Sequence, residues 1–142
     1  ISLVQVAEGG LNEVGNMLIR MRELSIQAAS DTIGDTERGF TDKETQSLKE
    51  EIQRISQTTK YNGVSLLNGS GKDLEFQVGI GANPEHDRLN YKAASYDATS
   101  TTLGINDVST GTKESAQNTA RLYCIKHGDA ERGSPASLPP RA

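Results

Sequence analysis

The first 28 residues carry the clearest hydrophobic pattern of the chain. Apolar or small residues recur there at alternating steps of three and four positions, which is the spacing of a helix that packs along its length against other helices. The pattern predicts one long helix from about residue 2 to residue 30, roughly 43 Å in length at 1.5 Å per residue. The predicted seam consists of Val4, Ala7, Leu11, Val14, Leu18, Met21, Ser25 and Ala28.

A second row of residues flanks this seam and widens the apolar stripe. Leu3, Gly10, Met17 and Leu24 repeat every seven positions. A stripe this wide exceeds what a two-stranded coiled coil buries, because such a coil uses only one narrow seam. The pattern therefore favours a bundle of several helices.

A second helix is predicted after the polar stretch that follows residue 30. The sequence TDKE at residues 41–44 has the form of a capping box, in which Thr41 and Glu44 satisfy free backbone N–H groups, so the helix is expected to start at Thr41. It is expected to end near Ser56 or Thr58 and to pack antiparallel to the first helix. Its predicted seam consists of Thr45, Leu48, Ile52 and Ile55.

Residues 61–67 predict a chain reversal at the end of this helix pair. Tyr61, Asn62 and Gly63 form a turn sequence, and Gly63 is expected to have a positive φ angle. The apolar residues after the turn are then expected to fold back and close the end of the bundle. They are Val64, Leu66 and Leu67.

The rest of the chain predicts a hairpin, a loop and a third helix. Leu74, Phe76, Val78 and Ile80 alternate with polar residues, and Leu89, Tyr91 and Ala93 do so after a turn-rich stretch, which indicates a β-hairpin. Residues 95–111 are rich in Ser, Thr and Asp and are interpreted as a surface loop. A third helix is expected near Lys113, with Ala116, Ala120 and Tyr123 on one face.

The predicted fold class is mainly α: an elongated antiparallel helical bundle or coiled coil with an appended β-hairpin. Residues 1–60 are expected to form the two antiparallel helices, and 61–111 the turn, hairpin and surface loop. Residues 112–127 are expected to begin a returning helix. Residues 128–142 contain three prolines and two glycines and are expected to be disordered.

Composition and charge narrow the possible partners. The chain has 142 residues and a formal net charge of −4, with acidic and basic residues interspersed, so it lacks the basic stripe that binds nucleic acid. It has no apolar run of about 18 residues, and no membrane partner is predicted. Only 34% of the residues are hydrophobic, which is little material for a compact globular core.

Neither a metal nor a cofactor nor a catalytic site is predicted. Cys124 and His127 lie three positions apart, but a zinc site needs at least a third protein ligand, and His86 is the one other histidine. The GIGANP stretch at residues 79–84 is not followed by a helix, so it fails as a phosphate-binding loop. The residue chemistry favours a structural or interaction module over an enzyme.

Four motifs together resemble bacterial flagellin in its amino-terminal conserved region: RMRELSIQAAS, EEIQRIS, TTKYNGVSLLNG and LEFQVGIGAN. The resemblance covers about residues 3–122. It implies the rod-shaped D1 domain of a structural subunit that polymerises with other flagellin subunits into the extracellular filament of the bacterial flagellum. It also implies an export chaperone and the flagellar secretion apparatus as partners. It implies no cofactor.

The resemblance further implies recognition by Toll-like receptor 5. The positions that match the receptor-binding motif of the family are Arg20, Leu24 and Glu44. A planar guanidinium beside a small apolar anchor is a combination typical of binding hot spots. The alternative for Arg20 is a solvent-exposed helix face with no partner.

Two alternatives and two departures accompany the resemblance. The flagellar hook-filament junction protein shares the amino-terminal helical pattern, and a secreted enzyme with flagellin-like ends would need a catalytic insertion for which residues 95–111 leave no room. By comparison with the family pattern, the first segment of flagellins is expected to be missing from the start of this sequence. Its end, ARLYCIKHGDAERGSPASLPPRA, departs from the expected returning helix, which suggests a shifted reading frame or an artificial extension.

Overall fold

The computed structural model describes residues 2–81, 83 and 85–127, and the side chains of these residues up to position 123. Helix α1 spans Ser2–Ala28, α2 spans Asp35–Thr58 and α4 spans Lys113–His127. A short helix, α3, spans Ser100–Leu103. Helix α1 packs on both α2 and α4. The predicted fold class, mainly α with small antiparallel strand pairs, is confirmed.

The core consists of two clusters at different heights of the helix bundle. The central cluster joins α1, α2, α4 and the segment before α4 through Val14, Leu18, Met21, Ile52, Ile55, Ile105, Val108 and Tyr123, with Leu48 partly buried against it. The end cluster comprises Leu3, Ala7, Leu66, Leu67 and Ala98. The apolar residues that fold back after the turn therefore close the end of the bundle, as the sequence predicts.

The predicted seam of α1 is wrong at Val4 and Leu11 and correct at its other positions. The correctly predicted residues are Ala7, Val14, Leu18, Met21, Ser25 and Ala28. The side chains of Val4 and Leu11 are exposed, whereas Leu3 is buried. The cause is the helical repeat: buried positions on α1 recur about every 3.6 residues, while the predicted seam repeats every 3.5. Towards the amino terminus the buried face therefore shifts back by one residue.

Helix α2 begins six residues earlier than predicted. Its N-cap is Gly34, whose backbone N–H donates to the Glu37 carboxylate at 2.8 Å. Thr41 already lies inside the helix, where its hydroxyl donates to the Arg38 carbonyl at 2.8 Å, so the predicted capping box at Thr41 is wrong. The predicted end near Thr58 is confirmed.

The turn after α2 has the predicted geometry. Asn62 has φ 48° and Gly63 has φ 78°, so both central residues lie in the left-handed region that a two-residue hairpin turn requires. The strands β1 (Lys60–Tyr61) and β2 (Val64–Ser65) pair across this turn. The Ser2 and Tyr61 hydroxyls lie 2.9 Å apart, which ties the turn to the start of α1.

The predicted β-hairpin, which is the second hairpin of the chain, is present but shorter than predicted. Strand β3 (Leu74–Gln77) pairs antiparallel with β4 (Arg88–Tyr91), with Leu74 opposite Tyr91 and Phe76 opposite Leu89. The regular ladder stops because the backbone N–H groups of Val78 and Gly79 both donate to the Asp87 carbonyl. Val78 and Ile80, predicted as strand residues, are exposed beyond this point.

The segment interpreted as a surface loop, residues 95–111, is packed against the helices. Ile105 and Val108 are almost completely buried in the central cluster. The segment contains α3 and follows a 3-10 turn at Ala93–Ser95. Its polar composition hid this packing, because only three of its hydrophobic residues, Ala98, Ile105 and Val108, are fully buried in the core.

Helix α4 begins at Lys113, as predicted, and runs antiparallel to α1. Ala116 and Tyr123 are buried, and Ala120 is half-buried. The Tyr123 hydroxyl donates to the Met21 sulfur at 3.5 Å, and burial raises the pKa of Tyr123 to about 12, so the group stays protonated. The tail at 128–142, predicted to be disordered, lies outside the described residues.

Candidate interaction surface

Helix α1 is apolar on a second side that the described part of the chain leaves exposed. Val4, Leu11, Ile19 and Ile26 are exposed by 54%, 39%, 59% and 54%. Their spacings of seven, eight and seven residues place them on one side of the helix. These four residues are called the α1 stripe below. An apolar row of this length beside a buried seam is typical of a helix that packs against additional partners.

One end of the α1 stripe forms a groove with the second hairpin. Val4 and Leu11 face Tyr91 and Tyr96 across a groove of about 430 Å³. The two tyrosine rings stack with centroids 5.2 Å apart. The Tyr91 hydroxyl is buried and has no hydrogen-bond partner among the described residues, and burial raises its pKa.

The middle of the α1 stripe borders a second, smaller groove between α1 and α4. Gly15, Leu18, Ile19, Arg22 and Tyr123 line this groove of about 220 Å³. The apolar surface of α1 therefore continues from the hairpin to the edge of α4. A partner helix placed along this surface would contact both grooves.

The predicted receptor-binding residues Arg20 and Glu44 meet on another side of α1. The Arg20 Nε donates to Glu44 Oε1 at 2.8 Å, and Arg20 Nη2 is also 2.8 Å from the same oxygen. Glu23 lies 3.6 Å from Arg20 Nη1. The hydrogen bond with Glu44 raises the pKa of Arg20 further. Both side chains are about half exposed, so this pair joins α1 to α2 at the surface.

The third predicted receptor residue, Leu24, lies one turn from Arg20 but points inward. Its side chain is only 2% exposed. Leu24 therefore supports the backbone that carries Arg20, whereas the sequence predicted an apolar anchor at the surface. The role of the three residues in receptor binding stays a prediction.

Sequence reasoning missed the residues that complete the α1 stripe. Ile19 and Ile26 were not singled out, although Ile26 follows Ile19 by seven positions and both continue the row of Val4 and Leu11. The signal was present in the sequence as a further apolar row, separate from the row of Leu3, Gly10, Met17 and Leu24. Tyr91 was predicted only as a strand residue, and its stacking on Tyr96 depends on the fold.

The described part of the chain contains no group of three or more His, Cys, Asp or Glu residues that could hold a metal ion. The side chains of Cys124 and His127, considered as a ligand pair, lie outside the described set. Within the same described residues, no helix combines the length and apolar character needed to cross a membrane.

Comparisons with known proteins agree with this architecture. The family described as "Bacterial flagellin N-terminal helical region" matches residues 1–72. Flagellin A of Vibrio anguillarum is 44% identical over 79 residues, which cover 56% of this chain and 21% of the relative. Polar flagellin F of Vibrio parahaemolyticus is 33% identical over 138 residues, which cover 93% of this chain and 36% of the relative.

The structural comparison gives the same result. The crystal structure of Bacillus cereus flagellin superposes with a TM-score of 0.73 and 29% sequence identity, covering 86% of this chain and 68% of that chain. The chain spans between about a fifth and a third of the length of the Vibrio relatives it matches.

Proposed function

Because the chain belongs to the bacterial flagellin family through its N-terminal helical region, we propose that it acts as part of a structural subunit of the flagellar filament, in bacterial motility. The relatives named above are all flagellins, which favours this function over the hook-filament junction alternative. The proposal includes assembly with other flagellin subunits as a homopolymer.

The observation that carries the proposal is the α1 stripe. Complete burial of an Ile, Leu or Val side chain contributes roughly 1.5–3 kcal/mol relative to leaving it exposed. Four such side chains in one row therefore favour burial against a neighbouring helix by several kcal/mol. In a filament, the neighbouring helices would be supplied by other subunits and by the rest of the same subunit.

Substitution of the α1 stripe tests assembly. In a flagellin that carries this region, Ile19→Ser is expected to weaken subunit association about tenfold, because roughly 1.4 kcal/mol of apolar contact is lost per interface. Filament length and number are measured by electron microscopy, and association by sedimentation velocity across a concentration series.

The matched control is Gln27→Ser, which shortens an exposed polar side chain of the same helix. It is expected to assemble like the unmodified protein. Equal assembly of both variants would contradict a role for the stripe. Absence of filaments from the unmodified protein would contradict the filament function itself.

Family membership also supports the remaining partners of the proposal. They are the flagellar export chaperone and the flagellar secretion apparatus, with the extracellular filament as the location. The support comes from the family alone, and each partner is tested separately by co-purification with the flagellin that carries this region.

We further propose that Toll-like receptor 5 recognises the surface around Arg20 and Glu44. Their ion pair holds the guanidinium in one orientation while leaving about half of each side chain exposed. Arg20 Nη1 is only loosely engaged by Glu23, at 3.6 Å, so it can donate to an acceptor on the receptor. Leu24 contributes by packing beneath this surface.

Receptor signalling provides the test. Arg20→Ala is expected to lower receptor activation at least about tenfold while leaving the helical circular dichroism unchanged, since truncation of a hot-spot residue costs roughly 2 kcal/mol or more. Leu24→Ala is expected to lower both activation and thermal stability, because Leu24 is buried.

Arg54→Ala is the control for this experiment. Arg54 is an exposed arginine on α2 that also forms an ion pair, with Glu51. Its loss is expected to leave receptor activation unchanged. If Arg20→Ala and Leu24→Ala both signal normally, the receptor proposal fails while the filament proposal stands.

A further inference from the structure

The segment between α3 and α4 is held along one side of α2 by a row of polar side chains. Their spacings of four, three and four residues place them on a common face of the helix. We call this row the polar ladder. It consists of Asp42, Gln46, Lys49 and Gln53.

Every residue of the polar ladder contacts the main chain of α3 or of the segment that follows it. Gln53 Oε1 accepts from the Ser100 backbone N–H at 3.0 Å, and Lys49 Nζ donates to the Asn106 carbonyl at 2.9 Å. Gln46 Nε2 donates to the Val108 carbonyl at 3.1 Å. The contacts fix the path of the segment from α3 toward α4.

Asp42 forms the last step of the ladder and carries its one carboxylate. Its Oδ1 accepts from the Thr110 backbone N–H at 2.8 Å and from the Ser109 hydroxyl at 2.9 Å. Helix α4 begins at Lys113, three residues after Thr110. The Asp42 carboxylate therefore fixes the main chain directly before α4.

A second carboxylate holds the first residue of α4. Asp31, in the link between α1 and α2, forms an ion pair with the Lys113 ammonium group. Further along the helix, α4 is attached through buried Ala116 and Tyr123, which do not change charge between pH 3 and pH 7. Among the α4 side chains that the structure describes, the acid-sensitive contacts are thus concentrated at the amino-terminal end of the helix.

We propose that Asp42, assisted by Asp31, forms an acid-sensitive latch that fastens the returning helix α4 to the α1–α2 pair. Protonation of these carboxylates weakens the hydrogen bonds to Thr110 and Ser109 and removes the ion pair with Lys113. The segment at 105–112 and helix α4 then separate from the α1–α2 pair before α1 and α2 separate from each other.

The α1–α2 pair has attachments that do not titrate in this range. Arg38 of α2 donates to the carbonyl oxygens of Ala28 and Ser30 at the end of α1. Ile52 and Ile55 of α2 pack on Met21 of α1 in the central cluster. The exposed Arg20–Glu44 pair also joins α1 to α2. The Arg38 and core contacts persist when carboxylates, including that of Glu44, are protonated, so the two parts of the bundle differ in acid sensitivity.

The pKa shifts give the pH range. Burial raises the pKa of Asp42, but hydrogen bonds from Thr110, Ser109, Gln46 and Gly111 outweigh this effect, and its pKa is lowered. The hydrogen bond from Lys113 lowers the pKa of Asp31. A lowered native pKa contributes stability that is fully present above the unfolded value of about 3.9 and is lost as the pH falls through the native value.

Other charged groups lie on α2 and in the first turn of α4, and Arg38, Lys43 and Lys113 among them are engaged elsewhere. On α2, Arg38 donates to Asp35 and to the carbonyls of Ala28 and Ser30, and Lys43 lies over the Phe40 ring. On α4, Lys113 is paired with Asp31, and Glu114 lies in the first turn. The shift of Asp42 arises from hydrogen bonding, and it should therefore depend only weakly on salt.

Hydrogen exchange measured by mass spectrometry tests the latch. Protection factors, corrected for intrinsic exchange, are compared between residues 105–123 and residues 40–56 from pH 7 to pH 3. In the unmodified chain, the first segment is expected to lose at least about tenfold more protection than the second below pH 4, because only the first segment loses its carboxylate contacts to α4 and to the main chain before it.

Three variants separate the carboxylates. Asp42→Asn keeps an acceptor oxygen and removes the charge, so protection of 105–123 should be lower at pH 7 and should change less with pH. In the double variant Asp31→Asn with Asp42→Asn, the protection of residues 105–123 should be nearly independent of pH. Asp107→Asn removes an exposed carboxylate from the same segment and should behave like the unmodified chain.

Two results would overturn the proposal. The first is that protection of residues 105–123 depends on pH in Asp42→Asn as strongly as in the unmodified chain. The second is that both segments lose protection at the same pH. If Asp42→Asn fails to fold, Ser109→Ala provides the second test. It keeps the carboxylate and removes one donor, so it should reduce both the protection at pH 7 and its pH dependence. An unchanged Ser109→Ala profile would also overturn the proposal, and none of these results depends on filament assembly.

Discussion

Replacement of Arg38 by alanine is expected to lower the free energy of unfolding by about 2–4 kcal/mol. Arg38 is a buried arginine in the first turns of α2. Its Nε donates to the Ala28 carbonyl at 3.0 Å, and its Nη2 donates to the Ser30 carbonyl at 2.9 Å. A third bond joins Nη1 to Asp35 at 3.0 Å.

The size of the effect follows from where these carbonyls lie. The last carbonyl groups of a helix have no partner inside that helix, and burial without a partner is unfavourable. Arg38 satisfies the Ala28 carbonyl at the end of α1 and at the same time ties α2 to that end. Its removal leaves this acceptor without its donor and loosens the link between the two helices.

Urea unfolding followed by circular dichroism measures this change. Arg54→Ala is the matched control, because Arg54 forms an exposed ion pair within one helix and such pairs contribute about 0–1 kcal/mol. Asp35→Ala removes only the exposed partner of Arg38 and should cost less than Arg38→Ala. Equal stability of the Arg38→Ala and Arg54→Ala variants would contradict the capping role.

Arg38 also shows where sequence reasoning reaches its limit. Its neighbours in the chain are polar or glycine, and nothing in their spacing indicates a buried side chain. Its burial results from the return of α2 along α1, which brings the end of α1 within reach. The start of α2 was misplaced for a related reason, because the pattern at residues 41–44 fits a capping box wherever it occurs in a helix.

The hydrophobic core was more accessible to prediction than the polar contacts. Met21, Ile52 and Ile55 were assigned to seams from their periodicity, and all three are buried. Periodicity reports burial directly, because apolar side chains on one face of a helix must leave water together. At Leu11 the prediction failed because a difference of about 0.1 residue per turn between the true and the assumed helical repeat accumulated over several turns.

The interaction surfaces were predicted only in part. The resemblance selected Arg20 and Glu44, and the structure brings these two residues together. The polar ladder was missed because Asp42 and Gln53 bind main-chain groups, which leave no trace in the side-chain pattern of the segment they hold. Ile19 was missed because the flanking row identified in the sequence was Leu3, Gly10, Met17 and Leu24, and Ile19 does not belong to it.

The two isoleucines Ile52 and Ile19 allow the fold and the interaction surface to be tested with the same substitution. Ile52→Ala is expected to lower the free energy of unfolding by about 2–4 kcal/mol, because it removes completely buried methyl groups and leaves a cavity in the central cluster. Ile19→Ala is expected to change it by no more than about 0.5 kcal/mol, because the side chain is mostly exposed.

For association, the two variants should rank in the opposite order when both are measured in the folded state. At temperatures where both variants are folded, Ile19→Ala should weaken association of the chain in sedimentation velocity, whereas Ile52→Ala should associate like the unmodified chain. A large loss of stability in Ile19→Ala would place the α1 stripe in the core. Unchanged association of Ile19→Ala would show that the α1 stripe is not part of the interface, since an exposed apolar row that contacts no partner contributes nothing to the free energy of association.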